Sequence, residues 1–233
     1  VEADIWKFSG DRLFYFNQLR GLQVFDMSDP AKPVKTGSIR MPAIGTQLQS
    51  LDDKGQRVVL FTRKSADDYS GHDVLRFVEV SAEGTPTVVK TVELDGYAGE
   101  SRLIGDKLYV ITTGWSGYHI GSSQLVSGNV WYWNTGWWRL HGYDLSDVSA
   151  PVALGYVSGQ GTSPVLQASG GYLLVAGNGY AYTYSPSYQW RYWSYVSAVD
   201  FESNGKPHLV KSVETKQQVR DLFKMAVVNG AIV

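Results

Sequence analysis

The sequence contains no cysteine among its 233 residues. This excludes a disulfide scaffold, a catalytic thiol and a metal site with cysteine ligands. It also lacks an excess of basic residues, because 21 Lys and Arg stand against 22 Asp and Glu and the formal net charge is −1. We therefore expect no nucleic-acid partner, since such proteins need basic residues to displace counterions from phosphates.

Long apolar runs and helical periodicity are missing as well. No stretch of about 18 uncharged apolar residues occurs, so we expect no membrane-spanning helix. The residues Val1 to Asp4 contain neither the basic region nor the apolar run of a signal peptide. This indicates either a cytoplasmic chain or one whose leader has been removed. Hydrophobic residues make up 43% and charged residues 18%, which excludes a disordered chain.

Four segments share one pattern, in which a short apolar strand ends in a carboxylate and a proline follows seven positions later. The carboxylates are Asp26, Glu79, Asp144 and Asp200, and the prolines are Pro33, Pro86, Pro151 and Pro207. Turn-forming residues separate each carboxylate from its proline, and another strand follows. Two more strands precede each segment. Four antiparallel strands in roughly 50 residues are the unit of a β-propeller, so we predict an all-β propeller with four-stranded blades.

The repeat also predicts the domain organisation. We expect a single domain over residues 1–233, with blades at about 2–41, 42–97, 98–159 and 160–216 and a partial fifth blade at 217–233. The fifth segment has one strand pattern from Val219 and a turn at Asn229-Gly230, and it ends at Val233. We expect this domain to be incomplete at its C-terminus and to be completed by further blades or by self-association.

The first repeat carries a family resemblance. The segment Gly21-Leu-Gln-Val-Phe-Asp-Met-Ser-Asp-Pro-Ala-Lys-Pro-Val resembles the LVIVD-type repeat of bacterial and archaeal propellers. The residues Glu2 to Trp6 and Glu100 to Val110 are similar to secreted β-propeller-domain proteins that are distantly related to WD-repeat proteins. The resemblance implies a protein that is secreted or located in the cell envelope, at the periplasm or the cell surface. It implies no catalytic residues.

Signals of catalysis and metal binding are weak in this sequence. No nucleophile elbow and no phosphate-binding loop occurs. The loop from Asp67 to Asp73, which includes His72, is rich in oxygen ligands but does not match a calcium-binding loop, because it lacks the terminal glutamate. We therefore predict no catalytic residues, no metal site and no cofactor.

The connections between the second and third strands of the repeats differ most in length. The two long ones, Thr113–Trp138 and Gly177–Ser194, contain seven of the eight tryptophans, and the first has no Asp, Glu, Lys or Arg. Connections of this type emerge on one face of a propeller, where binding residues usually lie. Because they belong to neighbouring blades, we expect the two insertions to lie side by side.

Both insertions have the pattern of a hairpin. In the first we predict a strand from Val130, a turn at Asn134-Thr-Gly136 and a second strand from Trp137. In the second we predict the strands Tyr180–Tyr184 and Tyr188–Tyr192, joined by a turn at Ser185-Pro-Ser187. Two interpretations stay open, because these ribbons either pack internally or form a recognition surface rich in Tyr, Trp, Ser and Gly.

The recognition surface leads to a functional hypothesis. We expect a non-enzymatic binding or assembly module of the cell exterior, which presents the aromatic hairpins to a protein or polysaccharide partner. The alternative is a secreted or periplasmic enzyme with its active site at the mouth of the propeller channel. The candidate binding residues are Trp131, Trp133, Trp137, Trp138, Tyr182, Tyr184, Tyr188, Trp190 and Tyr192.

Overall fold

The computed structural model describes residues 5–65, 67, 72–120, 130–184, 188–221 and 225–233. Every regular element in these residues is a β-strand, and none of them is helical. The chain divides into two compact units. The first consists of Val1–Ala98 and Asp144–Val152, and the second of Gly99–Tyr143 and Ala153–Val233.

The first unit contains two four-stranded antiparallel sheets in which each strand pairs with the next one along the chain. The strands of one sheet are β1 (Ile5–Ser9), β2 (Arg12–Asn17), β3 (Gly21–Asp26) and β4 (Val34–Ile39). The strands of the other are β5 (Gly45–Ser50), β6 (Arg57–Arg63), β7 (Asp73–Val80) and β8 (Pro86–Glu93). Apolar side chains of both sheets form one core, because alternate residues of a strand point to the same side.

The second unit is built around two further sets of four strands. One set is β9 (Tyr97–Ile104), β10 (Lys107–Ile120), β11 (Val130–Asp144) and β12 (Val152–Gln160). The other is β13 (Thr162–Ser169), β14 (Tyr172–Tyr184), β15 (Tyr188–Phe201) and β16 (Pro207–Thr215). A pairing between β11 and β14 joins the two sets into one eight-stranded sheet.

Strand β14 separates two cores of the second unit. Leu173 and Val175 belong to a cluster with Trp138 and Leu140 on one side of the strand. Leu174 and Ala176 belong to a second cluster, on the other side, which includes Met225. The alternation follows from the two-residue period of a strand. Both faces of β14 are therefore covered, which fits its continuous apolar run Leu-Leu-Val-Ala.

The four repeat carboxylates occupy equivalent positions, as the seven-residue spacing predicts. Asp26 and Asp144 are the last residues of β3 and β11, and Glu79 and Asp200 are the residues before the last of β7 and β15. All four strands are the third strand of their set. The predicted four-stranded antiparallel unit and its register are therefore confirmed.

Two of these carboxylates show why the position needs an acidic residue. The side chain of Asp26 accepts a 2.8 Å hydrogen bond from the main-chain N–H of Ser28, and Asp144 accepts one of 2.9 Å from Ser146. These bonds fold the chain into the turn that leads to the outer strand. The bond from Ser28 also lowers the pKa of Asp26, because it stabilises the ionised form.

The first insertion differs from its prediction, because no turn forms at residues 134–136. Strand β11 runs without interruption from Val130 to Asp144. Gly136 has no positive φ angle and instead lies where the main chain approaches closely. Its carbonyl oxygen accepts a 2.9 Å hydrogen bond from the N–H of Gly161, and a side chain at this position would overlap the methyl group of Thr162. Glycine is needed here for packing and not for a turn.

The C-terminal segment is also only partly as predicted. No strand begins at Val219, and the described part of this segment pairs only over β17 (Val227–Val228) and β18 (Ala231–Ile232). The turn at Asn229-Gly230 is confirmed, with φ angles of 50° and 76°. The N–H of Val219 donates to the side-chain hydroxyl of Ser194 on β15 at 2.8 Å, a bond to a side chain and not a main-chain bond of a strand ladder.

Candidate binding site on the aromatic extension sheet

The two aromatic insertions form one sheet. We call it the extension sheet and define it as the parts of β10, β11, β14 and β15 that lie within Thr113–Trp138 and Gly177–Ser194. Its strands are extended parts of elements 13 to 15 residues long, whereas the strands of the first unit have 5 to 8 residues. Strand β11 pairs with β14 from Val130 opposite Tyr184 to Trp133 opposite Ala181. The expectation that the insertions lie side by side is confirmed, and they are joined by main-chain pairing.

Strand β14 changes partner where the extension sheet begins. It pairs with β13 up to Asn178 and with β11 from Ala181 onward. The side chain of Asn178 holds this junction, because its Nδ2 donates to the carbonyl of Ser163 at 3.0 Å and its Oδ1 accepts a 2.6 Å bond from the hydroxyl of Ser194. Asn178 and Ser194 are buried, so the extension sheet starts from a fixed base.

The two strands of the second insertion pair in the predicted register, and the predicted turn at Ser185-Pro-Ser187 lies outside the described residues. Tyr180 lies opposite Tyr192, Tyr182 opposite Trp190 and Tyr184 opposite Tyr188. The side chains of Trp190 and Tyr192 are 52% and 41% exposed. Their ring planes differ by only 7°, with centroids 6.0 Å apart, and the ring of Tyr180 lies 6.3 Å from that of Trp190. Two parallel aromatic rings are therefore presented to solvent.

These two rings border an open groove with a volume of about 470 Å³. Its lining includes Trp190, Tyr192, Lys216, Gln217, Gln218 and Arg220. We call it the Trp190 groove. The side chain of Gln218 is held in the groove, because its Nε2 donates a hydrogen bond to the carbonyl of Gly179 at 3.1 Å. Its Oε1 accepts hydrogen bonds from Nε and Nη2 of Arg220 at 3.1 and 2.8 Å. The guanidinium group of Arg220 is thus held at the groove by a neutral amide.

The charge of the groove is positive. Arg191 also borders it, but this side chain forms a 3.0 Å salt bridge with Glu214 and lies 5.5 Å from the ring of Trp193. Among the residues that the structure describes, neither Lys216 nor Arg220 has a carboxylate within salt-bridge distance. Two cations that have no carboxylate partner among the described residues therefore lie beside two exposed aromatic rings.

The predicted binding residues separate into four groups. Trp190 and Tyr192 lie together in the groove. The prediction that Trp138 is a binding residue is wrong, because its side chain is 0% exposed and belongs to the core of the second unit. Trp137, the next residue on the strand, is half-buried, and the guanidinium of Arg139 lies 4.6 Å from its ring. The remaining candidates have side chains outside the described part of the structure: Trp131, Trp133, Tyr182, Tyr184 and Tyr188.

Sequence reasoning missed the polar half of the groove. The segment Lys216-Gln-Gln-Val-Arg220 follows the outermost strand β16 and was expected to lead into a further strand. A signal was present, since the segment carries two cations and two amides and only one apolar residue. Its position beside Tyr192, however, depends on the fold of β14 to β16.

The other chemical candidates do not gather into a site. Among the residues described, no group of three His, Asp or Glu side chains is placed to hold a metal ion. Most of the loop from Asp67 to Asp73 lies outside the described residues. His208 forms a 2.8 Å contact with the repeat carboxylate Asp200 on the exposed strand β16. The described residues contain no helix that is long and apolar enough to cross a membrane.

The comparison with protein families agrees with the blade pattern. Residues 2–189 match the family model described as "Beta propeller domain". The chain belongs to this β-propeller family. The described strands form antiparallel sets of four, two of which are joined into one sheet, and with the family match the predicted propeller fold is shown. No curated protein matches the chain.

Solved structures resemble this β-propeller only distantly. One variant of the Synechocystis apocarotenoid oxygenase has 11% identity and a TM-score of 0.36, with 99% of this chain and 58% of that chain covered. Another variant of the same oxygenase has 9% identity and a TM-score of 0.29, with 94% and 72% covered. The chain therefore spans little more than half the length of the first of these structures.

Proposed function

We propose that this β-propeller is a non-enzymatic binding or assembly module of the cell exterior, and that it presents the extension sheet to a polysaccharide or protein partner. The observation that carries the proposal is the parallel exposed pair Trp190 and Tyr192. Exposure of large aromatic side chains to water is energetically unfavourable. When a partner covers such side chains, they contribute most of the binding energy. The similarity of Glu2 to Trp6 and of Glu100 to Val110 to secreted β-propeller-domain proteins supports an exported location.

The rigidity of the base supports a binding role. The hairpin of β14 and β15 is paired without interruption from Leu173 opposite Val199 to Tyr184 opposite Tyr188. Its root is held by the buried bond between Ser194 and Asn178. A partner that binds at Trp190 therefore meets side chains on an ordered strand, and little conformational entropy is lost on association.

The test uses the cell-envelope fraction of the organism that naturally makes this protein as the ligand. The purified chain should sediment with this fraction, and Trp190→Ala should weaken the binding by about 1–3 kcal/mol, the usual cost of truncating a central tryptophan. Trp6→Ala is the matched control, because Trp6 is 62% exposed but lies on β1 in the first unit. It should bind like the wild type.

Two treatments of the envelope identify the class of partner. Protease digestion should abolish binding to a protein, and periodate oxidation should abolish binding to a polysaccharide. Thermal unfolding of both variants is measured in parallel. Equal binding by wild type and Trp190→Ala, with a lowered unfolding midpoint for Trp190→Ala, would show that the ring packs internally and would refute the proposal.

A further inference from the structure

We propose that the Trp190 groove binds an acidic polysaccharide, with the sugar rings stacked on Trp190 and Tyr192 and the sugar carboxylates bound by Lys216 and Arg220. This inference rests on the proposed function and specifies its ligand. The four residues line one groove, although Tyr192 and Lys216 are separated by strand β16 and the turn before it.

The aromatic half of the groove fits a sugar. The axial C–H groups of a pyranose form an apolar face, and such a face packs on an aromatic ring while the hydroxyl groups stay available for hydrogen bonds. The ring planes of Trp190 and Tyr192 are nearly parallel, at 7°, with centroids 6.0 Å apart in a stacked arrangement, and both side chains are exposed. A pyranose ring can therefore pack against this exposed aromatic pair.

The polar half of the groove selects an anion, and the geometry of Arg220 favours a carboxylate. A guanidinium has five N–H donors. Gln218 takes one donor on Nε and one on Nη2. The edge formed by Nη1 and Nη2 keeps one donor on each nitrogen, and this edge has the fork geometry that binds a carboxylate through two parallel hydrogen bonds.

The charge surroundings support the same assignment. Lys216 makes no salt bridge within the described residues, whereas the neighbouring Arg191 is neutralised by Glu214 at 3.0 Å. The groove is therefore positive although the whole chain has a formal net charge of −1. A single-stranded nucleic acid is the less suitable occupant, because such ligands need a groove of basic residues that follows many phosphates.

The experiment compares polymers that differ only in their carboxylates. Polygalacturonate, alginate and hyaluronate are each tested beside their carboxyl-reduced forms by affinity gel electrophoresis at low ionic strength. At least one acidic polymer should retard the wild-type chain, and its reduced form should bind about tenfold or more weakly, as expected for loss of charge-assisted hydrogen bonds. The retardation should decrease with added salt, because both cations are exposed.

Matched variants locate the binding to the groove. Lys216→Glu and Arg220→Glu should each weaken the binding about tenfold or more. Lys211→Glu is the control, because Lys211 is also an exposed lysine of the β16 region and the substitution changes the net charge equally. It should retain the wild-type affinity. Thermal unfolding should be the same for all three variants, since the three side chains are exposed.

The outcomes separate this inference from the proposed function. Equal binding of the acidic and reduced polymers, or an equal loss with Lys211→Glu, would overturn the acidic ligand, while a Trp190-dependent interaction would still support a binding module. If no polymer binds, and envelope binding requires Trp190 and is lost after protease treatment, the polysaccharide ligand is refuted but the binding module is not. Stronger binding to oligo(dT) than to any polymer would assign the groove to nucleic acid. Loss of every Trp190-dependent interaction would overturn both proposals.

Discussion

Arg102 on β9 donates a hydrogen bond of 2.6 Å from Nη2 to the main-chain carbonyl oxygen of Leu166 on β13, 64 positions further along the chain. The same guanidinium donates to the carbonyl of Ser101 at 2.8 Å and contacts the carboxylate of Glu100 at 3.2 Å. Glu100 in turn accepts a bond from the N–H of Leu166. The ion pair of Arg102 and Glu100 thus provides hydrogen-bond partners for both the carbonyl and the N–H of Leu166, which is fully buried.

This relationship predicts a stability effect. Arg102→Ala should lower the free energy of unfolding by about 1–3 kcal/mol, because it leaves the carbonyl of Leu166 without its charged donor. Arg191→Ala is the control, since it removes a salt bridge between side chains that are 69% and 44% exposed. That change should cost less than about 1 kcal/mol. Urea unfolding curves compare the two, and equal costs would contradict the structural role of Arg102.

Trp138 provides a second prediction. Trp138→Ala should reduce the free energy of unfolding by about 3–5 kcal/mol, as expected for a large aromatic residue in a packed core. Trp138→Phe should cost less, because it keeps an aromatic ring and removes an indole N–H that has no hydrogen-bond partner in the described structure. Near-ultraviolet circular dichroism and urea unfolding measure both effects. A loss of ligand binding at unchanged stability would instead place Trp138 in the binding surface.

The junction of the extension sheet gives a third prediction. Gly161 has a φ angle of 113°, and a Cβ atom there would overlap the main-chain carbon of Gly177. Gly161→Ala should therefore destabilise the chain by more than about 1–2 kcal/mol, the cost of a positive φ alone. Gly105→Ala isolates that cost, because Gly105 has a φ of 61° and nothing lies within 4 Å of its added Cβ. Similar unfolding midpoints for the two variants would contradict the close approach at Gly161.

The pH dependence of stability gives a fourth prediction. Burial, and to a lesser degree the positive charge of Arg139, lowers the pKa of His141 to about 4. An unfolded chain has a histidine pKa of about 6.5. Between these values the unfolded state binds more protons than the folded state, so stability should fall as the pH decreases from about 6.5 to about 4. Below that range this histidine should cause no further loss.

A matched variant assigns this pH dependence. His141→Gln should show a shallower decline of the unfolding midpoint between pH 6.5 and pH 4, because glutamine does not titrate. The imidazole resonances of the wild type should titrate with a midpoint near pH 4 for His141. A midpoint near the ordinary histidine value, or an unchanged decline in the variant, would contradict the effect of burial.

Local sequence signals were sufficient for the four sets of four strands and their order, but not for every strand boundary. The turn at Asn229-Gly230 was predictable because only residues that tolerate positive φ form such turns. The pairing of Tyr180 with Tyr192 followed from a short turn between two alternating strands. The equivalent carboxylates Asp26 and Asp144 were predictable because each bonds the main chain two residues later. In all three cases the residues in contact are near each other along the chain, at most 12 positions apart.

The tertiary structure decided the features that depend on distant neighbours. Asn134-Thr-Gly136 has turn composition, yet β11 continues through it, and the N–H of Gly161 donates a hydrogen bond to the carbonyl of Gly136 there. Trp138 and Trp190 come from equally aromatic segments, but core residues cover only Trp138. Lys216 meets Tyr192 only after β15 and β16 have paired. The sequence alone predicted most of the strands, since strand formation depends largely on local alternation and turns. It did not predict that β11 continues through Asn134-Thr-Gly136 or that no strand begins at Val219. Burial and the groove were decided by which strands pack together, and no local pattern encodes that packing.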